Sequence, residues 1–218
     1  DALEAATHDP AVRAVVIQGH ETVFSAGNDI GDFLNHPPAT PDAPVFRFMR
    51  GISSFPKPIV AAVCGPAVGI GTTMLLHGDL VYAGDNAAFS LPFVNLGLCP
   101  EAASSLLLSP LMGYHRAAEA LLLGEPFTVE TAQEMGLVNR IVPPAEVNAL
   151  AQRQALKLAA KPLSSLLETK RLMKQGNAGM VAERISEESA SCGRMLQEPA
   201  AREAFARFLA SRKPDSRQ

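Results

Sequence analysis

The sequence predicts an α/β fold with a helical C-terminal third, on three observations. Val12-Arg13-Ala14-Val15-Val16-Ile17 and Pro58-Ile59-Val60-Ala61-Ala62-Val63 are runs rich in β-branched residues, ending near Gly19 and Gly65. Runs so nearly apolar are expected of strands covered on both faces, as in layered α/β architectures. After residue 101 the pattern turns to helical segments parted by proline and glycine.

Taken in order, Leu3 and Ala6 mark a helix-like segment ahead of the first strand. His36-Pro37-Pro38-Ala39-Thr40-Pro41-Asp42-Ala43-Pro44 contains four prolines and is expected to be a mobile surface loop, since proline excludes both helix interior and central strand. Residues 45–54 should form a short helix with Phe46, Met49 and Ile52 on one face. Leu80-Val81-Tyr82-Ala83 and Ala87-Ala88-Phe89-Ser90 flank Gly84-Asp85-Asn86, a compact turn signal that suggests a strand pair. The later helices are expected over 102–109, 116–123, 129–135, 145–160, 162–175, 180–196 and 199–211. Their breaks fall at Pro110, Gly113, Gly124-Glu125-Pro126, Gly136, Pro143-Pro144, Gly176 and Pro199.

A chain of 218 residues with 47% hydrophobic composition can bury a substantial core. Nineteen basic and 22 acidic residues give a net charge of −3, so there is no broad cationic field for nucleic acid. No apolar run reaches the roughly 20 residues that span a bilayer, and Asp1-Ala2-Leu3-Glu4 lacks a signal-peptide pattern. Without an initiator methionine, an N-terminal piece is expected to be missing from the sequence. Cys64, Cys99 and Cys192 are odd in number and without metal-ligand spacing, which reads as free thiols in a reducing compartment. His8, His20, His36 and His115 are scattered, so no metal site is expected.

Two glycine-containing turns carry the chemical signal. Phe24-Ser25-Ala26-Gly27-Asn28-Asp29 and Gly65-Pro66-Ala67-Val68-Gly69-Ile70-Gly71 each follow a strand and are built to present backbone N–H groups outward, which together suggest an oxyanion hole. Gly69 and Gly71 remove side chains where backbone must approach a ligand, and Ile70 opens a helix whose dipole adds to the effect. Leu96-Gly97-Leu98-Cys99-Pro100-Glu101 supplies one carboxylate for proton transfer. Apolar neighbours such as Phe93, Leu96 and Leu98 would raise the pKa of Glu101, whereas a place in the first turn of the helix after Pro100 would lower it.

These two turns, with Lys57-Pro58-Ile59-Val60-Ala61-Ala62-Val63-Cys64-Gly65-Pro66-Ala67-Val68-Gly69 and Ala132-Gln133-Glu134-Met135-Gly136-Leu137-Val138-Asn139, resemble the crotonase (enoyl-CoA hydratase/isomerase) superfamily in order and across almost the whole chain. The resemblance implies a superhelix of β-β-α units over residues 1–142 and a C-terminal helical region, 143–218, used in forming a homotrimer or a dimer of trimers. It implies an acyl-CoA thioester as substrate, with coenzyme A part of that substrate and no separate cofactor. It also implies oxyanion-hole donors at the backbone N–H groups of Asn28 and Ile70. Ser25, Ala26, Gly27, Gly69, Gly71, Phe93, Leu96 and Leu98 are then expected at the substrate, with Arg212 and Lys213 as possible phosphate contacts. A cytoplasmic location in a bacterium is expected, or a peroxisomal or mitochondrial one in a eukaryote.

Departures from the pattern narrow the reaction. Hydratases of the superfamily use two glutamates to hold and activate water, and the matching positions are Thr73 and Phe93, neither of which can act as a base. Leu91-Pro92-Phe93-Val94-Asn95-Leu96-Gly97-Leu98-Cys99-Pro100-Glu101-Ala102-Ala103-Ser104-Ser105 resembles instead the peroxisomal-type 3,2-enoyl-CoA isomerase branch, in which the glutamate of the Pro-Glu pair is the single base. That implies Glu101. A hydratase or other enolate-forming enzyme, and a non-catalytic acyl-CoA-binding protein, stay open as alternatives. His77 is read as ending a helix before Gly78, Asp79 as fixing the strand that follows, and Ser104-Ser105 as lacking the elbow of a nucleophile.

Overall fold

The computed structural model describes residues 1–35, 38, 40 and 42–211. Four residues of the proline-rich loop, His36, Pro37, Ala39 and Pro41, lie with Arg212 and Lys213 outside the described residues. A first parallel sheet, order β1-β2-β4-β7, is made of β1 (Val15–Gln18), β2 (Ile59–Val63), β4 (Leu80–Gly84) and β7 (Arg140–Val142). A second, order β3-β5-β6, joins β3 (Pro66–Val68) and β5 (Ala88–Ser90) in parallel, with β6 (Phe127–Thr128) antiparallel to β5.

The apolar run of β2 follows from cover on both faces. Ala61 and Val63 point, with Val81 and Ala83 of β4, into a core shared with Phe89 of β5. Val60 and Ala62 point the other way, with Tyr82, onto Val147, Leu150 and Ala151 of α8 (Pro144–Ala159). All five β2 residues are buried, as such a sandwiched strand requires. The first helix of the expected C-terminal region 143–218 therefore packs as a layer of the α/β body.

One expectation is overturned here. The runs around Gly84-Asp85-Asn86 do not pair: β4 belongs to the first sheet and β5 to the second. The Gly84 carbonyl accepts from Ala87 N at 2.9 Å, and the chain then crosses between sheets. Gly65 makes the same crossing from β2 to β3, and its carbonyl accepts from Ala88 N at 3.2 Å. Both strands of each unit are short, so a turn signal marks a change of sheet as readily as a hairpin.

Around the sheets stand α1 (Ala2–His8), α2 (Ile30–Asn35), α3 (Pro44–Ser53), α4 (Ile70–Thr73), α5 (Ser104–Met112), α6 (Tyr114–Leu123), α7 (Val129–Glu134), α9 (Leu163–Gln175), α10 (Ala178–Met195) and α11 (Pro199–Ser211). In α3, Phe46, Met49 and Ile52 form the buried stripe that their spacing predicts. The helix α5 departs from expectation twice: it begins at Ser104 and it runs through Pro110. Its end is closed by Gly113 N donating to the Ser109 carbonyl at 2.9 Å.

Beneath the body runs a buried polar chain. Lys170 of α9 donates to Asp79 Oδ2 and to the Lys57 carbonyl, each at 2.7 Å, and Asp79 Oδ2 also accepts from Ile59 N at 2.7 Å. Asp79 thus fixes the start of β2, which precedes it, more than the strand that follows. Lys57 reaches back to the Ala6 and Asp9 carbonyls, tying α1 to the sheet. Burial depresses the pKa of both Lys170 and Lys174, that of Lys174 to about 8.

Candidate active site

The first glycine turn lies along the edge of β3. Phe24 N and Ser25 N donate to the Pro66 carbonyl at 3.1 Å, and Val68 N returns a bond to the Ser25 carbonyl at 2.9 Å. This strand-like docking brings Asn28 and Ile70 onto one cavity of about 790 Å³. Gly69, just before Ile70, has φ 55° and ψ −117°, a conformation open to glycine alone. Among the described residues, neither Asn28 N–H nor Ile70 N–H donates to a protein acceptor. Two unspent main-chain donors on one cavity wall are the raw material of an oxyanion hole.

Ala26, Gly27, Gly69, Phe93, Leu96, Leu98 and Glu101, all expected at the substrate, line this cavity. Ser25 and Gly71 do not. They press on one another instead: a Cβ on Gly71 would sit 2.8 Å from both Cβ and the carbonyl oxygen of Ser25. Their work is to let the two turns touch. Gly71→Ala should therefore push the turns apart by a few tenths of an ångström or more and lower kcat by about 10²-fold, the scale of losing one donor. Steady-state kinetics beside a thermal melt would check this, and an unchanged kcat would contradict it.

Glu101 precedes α5 and is not in its first turn, so the lowering that such a place would bring does not act on it directly. Its carbonyl accepts from Ser104 N at 3.0 Å and from Ser104 Oγ at 2.7 Å. Between Glu101 and the helix, Ala102 and Ala103 are fully buried and both lie at φ 58°, in the left-handed region. Side-chain-bearing residues pay on the order of 1–3 kcal/mol each for that conformation, so the surroundings must hold it. Glu101 lines the cavity, and its Oε1 is shut off from solvent without a hydrogen-bond partner. Burial first, and the nearby Glu188 carboxylate second, push its pKa from 4.5 up to about 7. Of the two opposing effects foreseen for this side chain, desolvation wins.

The second carboxylate on the wall, Asp29, is exposed and already engaged, its Oδ1 accepting from Gly31 N at 2.8 Å and Asp32 N at 3.2 Å at the start of α2. Thr73 is fully buried off the cavity wall, its Oγ1 unpartnered. Phe93 occupies the wall itself.

Sequence reasoning missed several neighbours. Glu188, on α10, accepts from Ala103 N at 2.6 Å, from Ser105 N at 3.1 Å and from Ser105 Oγ at 2.6 Å. His77 does end a short helix before Gly78, as read from the sequence, but it is 2% exposed and its Nε2–H donates to the Ala102 carbonyl at 2.8 Å. Burial lowers its pKa to about 4, so it stays neutral. Cys99 and Cys192, both free, complete the apolar wall, and desolvation pushes the Cys192 thiol up to about 12. The far side comes from α11, through Ala204, Arg207 and Phe208. The left-handed Gly97, whose Cβ would meet Ala201 Cα at 2.9 Å, lets α11 lie against this loop.

The arrangement of sheets, crossings and cavity is that of the crotonase fold. The sequence model of the enoyl-CoA hydratase/isomerase family matches residues 1–218, and the chain belongs to that family. A solved structure described as that of Pseudomonas aeruginosa OdaA superposes with a TM-score of 0.93 at 46% identity, covering 95% of this chain and 85% of its own. Enoyl-CoA delta isomerase 2 of Rattus norvegicus is 37% identical over 180 residues, 80% of this chain and 46% of its own. The 2,3-dehydroadipyl-CoA hydratase of Escherichia coli is 30% identical over 214 residues, 98% of this chain and 84% of its own. The chain spans less than half the length of the rat isomerase that it matches.

Proposed function

We propose that this protein is a 3,2-enoyl-CoA isomerase in which Glu101 carries the proton. The observation that carries the reading is a half-buried glutamate on the same cavity as the free N–H groups of Asn28 and Ile70, its Oε1 shut off from solvent without a partner; desolvation, which raises its pKa to about 7, supports it. The acyl-CoA thioester oxygen would accept from both N–H groups. Glu101 would take a proton from C2, the electron pair passing into the thioester dienolate. The double bond then moves from C3–C4 to C2–C3 as Glu101 returns the proton to C4. No water enters and one carboxyl suffices, whereas hydration needs a water held and a proton delivered. Thr73 and Phe93 offer no base for that. The similarity to delta isomerases supports this choice, and the similarity to a hydratase supplies the rival.

Purified protein incubated with 3-enoyl-CoA and 2-enoyl-CoA of several lengths is expected to shift the double bond far faster than it adds water. Hydration that equals isomerisation and survives loss of Glu101 would favour the hydratase, and acyl-CoA binding without turnover would favour a binding protein.

The pH dependence has a definite sign. Glu101 is active as the carboxylate, so kcat/KM should rise with pH and level off above about 7, falling about tenfold per pH unit well below that value. An acid limb near the ordinary glutamate value would show that the base is not this buried group.

A further inference from the structure

We propose that Glu188 is a positioning residue for proton transfer, its carboxylate holding the left-handed Ala102–Ala103 turn from which Glu101 enters the cavity. The inference rests on the assignment of Glu101 as the base, and it concerns a residue on a different helix, 85 residues further along the chain from Ala103.

The geometry leaves Glu188 little else to do. It is 6% exposed, and its two oxygens are divided between the turn and the helix after it. Oε2 accepts from Ala103 N, within the strained turn itself, at 2.6 Å. Oε1 accepts from Ser105 N and Ser105 Oγ, at the head of α5. Ala103, the residue before α5, has no side-chain oxygen to satisfy those first N–H groups, so an external carboxylate takes the part of a cap. Arg184, one turn earlier on α10, donates to Ser105 Oγ at 3.0 Å and secures the arrangement. Ile185, on the same helix, shares a buried apolar cluster with both alanines. From the opposite side His77 holds the Ala102 carbonyl. The turn is thus gripped by a donor at its carbonyl and an acceptor at its amide.

A turn held by a carboxylate has an electrical consequence. Glu188 places negative charge beside Glu101 and disfavours the ionised form of the base. The other titratable or charged groups around the two are Cys99, and Cys192, Arg184 and Arg194 on α10, with neutral His77 beneath the turn. Asp29 and Arg207 are exposed members of the same cavity wall. Desolvation holds both thiols protonated, and the arginines keep their charge throughout, so Glu188 is the partner whose removal changes the charge facing Glu101 most directly.

Glu188→Gln and Glu188→Ala in the full chain separate grip from charge. The glutamine keeps an acceptor for Ala103 N and loses the charge: the acid limb of kcat/KM should move to lower pH, with the plateau kcat falling less than about tenfold because the base is weaker. The alanine releases the turn, and kcat should fall about 10²-fold while KM stays within a factor of about three. Carbon NMR of the Glu101 carboxyl in unliganded protein supplies a readout independent of turnover. Glu101 should titrate near 7 in the parent and lower in Glu188→Gln. Unmoved titration together with unchanged kcat in both variants would overturn the inference. If the parent shows no isomerisation, the assigned reaction fails, and the NMR titration still decides whether Glu188 governs Glu101.

Discussion

Glu101→Gln is expected to lower isomerisation by about 10²- to 10⁴-fold while leaving acyl-CoA affinity nearly intact, the range that removal of a positioned general base commonly costs. Glutamine matches the shape of the side chain and keeps the cavity closed, so a loss confined to kcat isolates the proton carrier from the binding surface. The same change should make the protein more stable. The folded-state pKa of Glu101, about 7, lies above the unfolded value near 4.5, so the folded chain holds the proton more tightly. Stability is then lost as pH rises between those two values, reaching on the order of 3 kcal/mol above pH 7. Urea unfolding at pH 8 should show Glu101→Gln more stable by about 1–3 kcal/mol, the gain vanishing near pH 4. A variant that lost activity and was also less stable at pH 8 would contradict the account of a strained, desolvated acid.

The second large effect lies away from the cavity. Asp79→Ala should destabilise the fold by about 3–5 kcal/mol, because it strands the Lys170 ammonium in a buried place. Lys170 is 8% exposed at its side chain and Asp79 23%, with 2.7 Å between the charged atoms. The substitution also leaves Ile59 N, at the start of β2, without its acceptor. Replacing both partners, Asp79→Ala with Lys170→Met, removes the stranded charge and should recover part of that loss. Chemical unfolding of the single and double variants measures the coupling directly. If the single variant lost less than about 1 kcal/mol, water would have to reach Lys170 freely.

Much of this site could be read from residue order, because its parts are local. Gly69 next to Ile70 is a short-range signal, and the Phe46, Met49 and Ile52 stripe follows helical periodicity alone. What escaped depends on distance along the chain or on conformations that composition does not mark. Ala102 and Ala103 carry no glycine or asparagine cue for the left-handed region, so the helix was expected to begin at residue 102, two residues early. Glu188 sits among other acidic residues of α10 and only its contacts distinguish it from solvated neighbours. The change of sheet at Gly84 is hidden because strand pairing is settled by long-range burial, while the turn itself obeys a local rule.

The turn that carries residue 101 is held by groups 25 and 85 residues away along the chain, at His77 and Glu188. Contacts of such sequence separation are the ones that demand most loop closure and form late. Before they meet, residue 101 is an ordinary glutamate, ionised in neutral water. On the proposed reading, competence at this centre is a property of the finished molecule: a collapsed chain with its strands paired but that bend unlatched is expected to have a cavity and no functioning proton shuttle.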